Sequence, residues 1–334
     1  VIRNASDLEQ YIGEEEVVII PDYVTTIQSK VFENKTFIKK VIIPESVVTI
    51  REEAFKGCTA LEDIILPRYI SKIYEGTFMN CTSLKRVEFS YNVYHIDQNA
   101  FKGCKNLSEV IGLYDEIIVE HNSFAECEKL QKNGFVVAAE YLLGYIGKER
   151  ETFIPDGVTS IISEAFLRNN NLVSVHFPST IKYINESAFS NCLNLKRVEL
   201  NDGVEEIGFK AFENCVSLSE ITIPSSLKVL GNDAFSNCIS LDKVVFKAKD
   251  NMDKRIDIAN TTFNNCYSLK SLQGDFSCLN INDAREMFYN CFKLTSIYFN
   301  PIETINDINM TKMFYNCRNL EKINWLNNNG NNYN

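Results

Sequence analysis

The sequence predicts an α/β repeat solenoid of about 12–13 coils, each of about 23 residues, with a β-hairpin inserted midway. Three observations predict it. Phenylalanine recurs at positions 32, 55, 78, 101 and 124 and again at 166, 189, 212 and 235, always 23 residues apart within each run. Each interval repeats two local patterns, one strand-like and one of helical spacing. The single long gap, from Phe124 to Phe166, holds a Gly-punctuated, strand-like segment. For 334 residues a fixed period favours an array over two compact domains, because stacked repeats grow without one thick core.

The strand half of each unit is read from stretches such as Leu84-x-x-Val87-x-Phe89, which end in the alternation of a half-buried strand. The other half, Ile96-x-x-x-Ala100-Phe101-x-x-Cys104, has spacings that suit one or two helical turns. Pro44, Pro67, Pro178 and Pro224 fall just after strands, where a missing N–H ends a ladder without loss. Asn-Cys, Gly-Cys and Glu-Cys pairs mark the turn out of the helical part.

Taken in order, residues 1–21 read as an N-terminal cap. Ser6-Asp7-Leu8-Glu9 is a capping box for a short helix that Gly13 stops, and Val18-Ile19-Ile20-Pro21 matches Val41-Ile42-Ile43-Pro44 as a first strand. Regular repeats occupy 22–127 and 156–246. Between them, 128–155 reads as a β-hairpin insertion or degenerate repeat running from Asn133 through Tyr141 and Tyr145 to Phe153. Residues 247–326 form looser repeats in which Met replaces Ala before the Phe, as in Met287-Phe288-Tyr289-Asn290-Cys291. The Asn-rich end, 327–334, reads as a disordered tail. All of this is expected to form one continuous solenoid domain.

Ten of the eleven cysteines share one slot, three residues after a repeat Phe: Cys58, Cys81, Cys104, Cys127, Cys192, Cys215, Cys238, Cys266, Cys291 and Cys317. One cysteine per coil has no partner within its own coil. If the slot lies on a helical side, successive copies also sit beyond the roughly 7 Å that a disulfide spans between Cα atoms. The reading is a column of reduced, buried cysteines packing as small hydrophobes. Cys278 stands outside the slot.

The net charge of −10 argues against nucleic acid as a partner and against electrostatic binding to anionic lipid. The longest apolar runs, such as Val17 to Ile20, fall far short of the roughly 20 residues of a spanning helix, so no membrane insertion is expected. The opening Val1-Ile2-Arg3 shows no signal-peptide pattern, and compartment is not read from it. Nucleophile-elbow, P-loop, zincin and dinucleotide-binding patterns are all missing, as is any C-x-x-C pair. Three histidines, His95, His121 and His176, do not cluster. The expectation is therefore a protein that is not an enzyme and carries neither metal nor cofactor.

The pattern I-x-x-x-A-F-x-x-C-x-x-L-x-x-V-x-I-P resembles the BspA-like, or Treponema pallidum-type, leucine-rich repeats over roughly residues 15–325. The resemblance implies a right-handed solenoid with a parallel sheet on one face and short helices or turns on the other. It also implies a place at the cell surface or outside the cell, and adhesion to, or recognition of, a protein or host-surface macromolecule.

In such a sheet the two residues flanking each central Val or Ile point outward. The candidate protein-binding residues are Lys40 and Ile42, Asp63 and Ile65, Arg86 and Glu88, then His176, Arg197, Glu199 and Tyr298. Ile42 and Ile65, extended by Ile111, form an apolar stripe, while Arg86/Glu88 and Arg197/Glu199 repeat one charge pair. Strand propensity and cross-strand pairing account for the same residues. The function read from this is non-enzymatic recognition through the strand face or the hairpin, by a monomer. A structural spacer or self-assembling surface module without a specific ligand is the alternative.

Overall fold

The computed structural model describes residues 6–114, 117–248, 256–274, 279–281, 283–299, 308–326 and 332–333. They group into two compact units, 1–147 and 148–334.

Unit 1 is built of coils that each contribute one three-residue strand to a parallel sheet. Its five strands lie in the order Glu109–Ile111, Arg86–Glu88, Asp63–Ile65, Lys40–Ile42 and Val17–Ile19. The central residue of each is buried and its neighbours point out, as the alternation requires. A second, two-residue strand follows in every coil, such as Thr26–Ile27, Thr49–Ile50, Lys72–Ile73 and His95–Ile96, and pairs in parallel with its counterpart one coil away. Unit 2 repeats the plan, with outer strands including Glu151–Phe153, Ser174–His176 and Arg197–Glu199, then Glu220–Ile223, Lys243–Phe246 and Ser271–Gly274.

The expected helices are not formed. Among the described residues the only helical segment is one 3₁₀ turn at Glu128–Leu130. Backbone geometry explains why. The residues two before and two after each repeat Phe take positive φ, as in Glu53 and Gly57 (55° and 71°) around Phe55 and Gly76 and Asn80 (both 61°) around Phe78. A left-handed residue every four positions interrupts any run of α conformation. The backbone donors turn instead to the neighbouring coil. Phe32 N–H bonds to the Ala54 carbonyl at 2.8 Å, Phe55 to Thr77 at 2.9 Å and Phe78 to Ala100 at 2.8 Å. The class is thus a β-solenoid with turns on its second side, and not a mixed α/β array.

The cap helix is likewise replaced. Asp7–Leu8 is a strand paired in parallel with Thr26–Ile27, so the first residues continue the second-strand ladder. The inserted hairpin exists but is shorter than 128–155. Phe135–Ala138 pairs antiparallel with Tyr141–Tyr145 across a bulge at Val136/Val137, and Gln131–Lys132 adds a third strand. Thr152 and Phe153, read as part of the hairpin, belong to the array strand Glu151–Phe153. In the tail expected to be disordered, Asn332–Tyr333 pairs antiparallel with Trp325 and Leu326.

The core is a stack of rings. In unit 1, Phe32, Phe55, Phe78, Phe101 and Phe124 lie 4.9–5.4 Å apart and within 14° of parallel. Unit 2 stacks Phe166, Phe189, Phe212 and Phe235 at 4.5–5.4 Å, widening to 5.7–5.8 Å where the repeats lengthen. Beside each stack runs the cysteine column. All ten slot cysteines are free, and each donates its S–H to the carbonyl of the Phe one coil earlier at 3.0–3.3 Å. The slot is therefore a hydrogen-bonding position as well as an apolar one. Burial raises the thiols, to about 12 at Cys58, Cys127 and Cys192. Cys278 lies outside the described residues.

Candidate binding surface

On the sheet of unit 1 the outward side chains fall into two columns. One reads Val17, Lys40, Asp63, Arg86, Glu109, and the other Ile19, Ile42, Ile65, Glu88, Ile111, in register from strand to strand. Ile19 is 70% exposed, Ile65 64%, Val17 51% and Ile42 44%. These four aliphatic side chains cover three adjacent strands. A groove of about 460 Å³ runs beside them, lined by Lys40, Ile42, Asp63, Ile65, Pro67 and Arg86. Glu45, which also lines it, pairs with Arg68 at 3.2 Å, and Arg68 lies over the exposed Tyr69 ring. Arg86 bonds Glu88 at 2.7 Å and approaches Glu109 at 3.4 Å.

The strand face of unit 2 is more polar. His176 sits between two carboxylates, with Nε2 2.8 Å from Glu151 and Nδ1 3.0 Å from Glu199. The exposed Phe153 ring stacks on the imidazole at 4.4 Å. Arg197 also bonds Glu199. A groove of about 320 Å³ lies alongside, lined by Arg197, Glu199, Glu220, Thr222 and Lys247.

The structure thus places Lys40, Ile42, Asp63, Ile65, Arg86 and Glu88 together on one face, and His176, Arg197 and Glu199 on another. The Tyr298 backbone pairs with Asn324, and its side chain lies outside the described set. Sequence reading missed Val17 and Ile19, although their match to Lys40 and Ile42 was visible in the Val18/Val41 alignment. It also missed Glu151 and Phe153, which the wider hairpin had absorbed. The hairpin itself turns mostly inward, with Phe135, Val136, Ala138, Leu142 and Leu143 buried.

One further group could in principle hold a cation. His95, Asp97 and Glu120 bring one ligand atom each within 4.8 Å of one another. Its charges are already met: Lys72 lies 2.8 Å from Asp97, which raises the ammonium, and Glu120 accepts from His95 at 3.0 Å and from the Gln98 N–H at 3.0 Å. Among the described residues no helix is long and apolar enough to cross a membrane.

Coils that alternate a parallel outer strand with a Phe- and Cys-filled turn define a leucine-rich-repeat scaffold. The chain belongs to the BspA type leucine rich repeat family, whose model matches six copies over residues 12–131, 146–256 and 251–333. A leucine-rich repeat protein of T. pallidum is 30% identical, over 55% of this chain and 72% of its own, with a TM-score of 0.36. A Bacteroides ovatus leucine-rich repeat protein is 22% identical over 97% and 85%, with a TM-score of 0.38. The pneumococcal vaccine antigen PcpA is 17% identical over 95% and 84%, and its TM-score of 0.50 reflects a shared fold. Among curated proteins nothing matches the chain.

Proposed function

We propose that this chain is a non-enzymatic recognition module, at the cell surface or outside the cell, that binds a protein or host-surface macromolecule through the strand face of unit 1. Membership of the repeat family supports a binding role in general. The observation that carries the particular face is the aliphatic cluster of Val17, Ile19, Ile42 and Ile65, exposed in register beside a groove. Exposed apolar surface rimmed by polar and charged residues, here Lys40, Asp63 and Arg86, is the composition of protein contact sites. Unit 2 presents mainly paired charges on its face, and the hairpin buries its apolar side chains, so both are weaker anchors. Changing Ile42 and Ile65 to Asp places charges in the contact without touching the core. Binding to host cells or matrix, read by solid-phase titration, is then expected to fall at least tenfold with the fold intact by circular dichroism. Parent-like binding by the double variant excludes this face.

A further inference from the structure

The charged column on unit 1 alternates in sign along four consecutive strands: Lys40, Asp63, Arg86, Glu109. We infer that this face docks a second copy of the same chain, related by a two-fold axis that runs along the strand direction between the strands of Asp63 and Arg86. That axis reverses the order of coils and keeps each column facing its own copy. Lys40 then meets Glu109, and Asp63 meets Arg86, twice each. All four positions find the opposite charge. An isologous interface requires a surface complementary to itself, and an alternating column of even length meets that condition only for this antiparallel stacking. In the second column Ile42 meets Ile111. Ile65 meets Glu88, whose carboxylate is turned aside to Arg86 at 2.7 Å.

One detail favours a partner over satisfaction within the sheet. Lys40 and Asp63 are in register on neighbouring strands, yet no ion pair joins them, and both are exposed. Arg86, by contrast, is held within its own sheet by Glu88 at 2.7 Å and Glu109 at 3.4 Å, so among the described residues the two column charges left without an ion pair are Lys40 and Asp63. The column is also neutral in sum, on a chain of net charge −10. Screening over about 8 Å at physiological ionic strength removes most of the repulsion between the remaining charges. Eight side chains per copy make a small contact, below the roughly 20–30 residues a side of stable complexes, so the dimer is weak, with a dissociation constant of about 10–1,000 μM. The proposed dimer departs from the monomer that the sequence leads one to expect.

The inference rests on the reading of this face as a binding surface, and its test is separate. Sedimentation equilibrium of the full chain over that concentration range is expected to show a monomer–dimer equilibrium. Lys40→Glu sets like charges against each other at both ends of the interface, and Glu109→Lys does the same. Each variant alone is expected to lose self-association by at least tenfold. Mixed one to one, the Lys40→Glu and Glu109→Lys chains set the two substituted positions against each other at one end and the native Glu109 against the native Lys40 at the other, so both ends are of opposite charge and association returns. A parent that stays monomeric throughout overturns the dimer but leaves the binding of foreign partners untouched. Variants that still self-associate, or a mixture that does not, overturn it too.

Discussion

The Cys81 thiol donates to the Phe55 carbonyl at 3.1 Å, across one full coil, in a place no water reaches. That carbonyl also accepts the Cys58 N–H at 3.1 Å. The thiol thus supplies a second donor to an oxygen that has no solvent alternative.

Removing the thiol leaves a void and strips that oxygen of one partner. Cys81→Ala is expected to cost about 1–3 kcal/mol, the range for loss of a buried hydrogen-bond partner with a small cavity. Urea unfolding followed by circular dichroism measures it. An unchanged midpoint refutes the hydrogen-bonding role of the slot.

The same burial makes stability fall in alkali. The slot thiols titrate above their unfolded value of about 8.5, reaching about 12 at Cys58, Cys127 and Cys192. A raised folded value favours the protonated form. This contribution is therefore complete below about pH 8.5 and is lost as pH rises toward 12, by up to about 1.4 kcal/mol per pH unit for each thiol. Thiol-reagent counts at pH 8 are expected to leave the nine fully buried slot cysteines silent until denaturant is added. Rapid native labelling of several of them counts against the column.

Gly57 tests the left-handed positions. Its φ is +71°, and a Cβ there comes 2.2 Å from Asn34 Oδ1 on the coil before. Gly57→Ala therefore meets backbone strain and makes the Asn34 side chain shift, with an expected loss of about 1–3 kcal/mol by thermal or urea melts, most of it from the strained φ. Asn at this position, as in the neighbouring coil at Asn80, is expected to be tolerated better because Asn visits this region readily. Equal stability of the Ala and Gly forms removes the geometric argument against helices.

Much of the candidate surface was legible because alternation is local. Once Val41, Ile64 and Val87 are assigned inward, Lys40, Ile42, Asp63, Ile65, Arg86 and Glu88 must point out. The clamp on His176 is not legible in full, since the strand-like run through Glu151 and Phe153 reads as a continuation of the hairpin. Nor was the network of Lys72, Asp97 and Glu120 about His95, whose members from different coils meet only in the fold.

The sequence by itself determined the coil. Its period, its ring stack, its cysteine slot and its inward and outward faces all follow from spacing within 23 residues. Only the tertiary structure decided where the backbone hydrogen bonds go. The spacing Ile-x-x-x-Ala-Phe-x-x-Cys fits a helix and a tight turn equally well. The choice between them is made by donors such as the Phe55 N–H, which finds the Thr77 carbonyl one coil away. A contact between coils has no local signal, because its partners lie a whole repeat apart and each coil's turn is stable only when the next coil receives its hydrogen bonds.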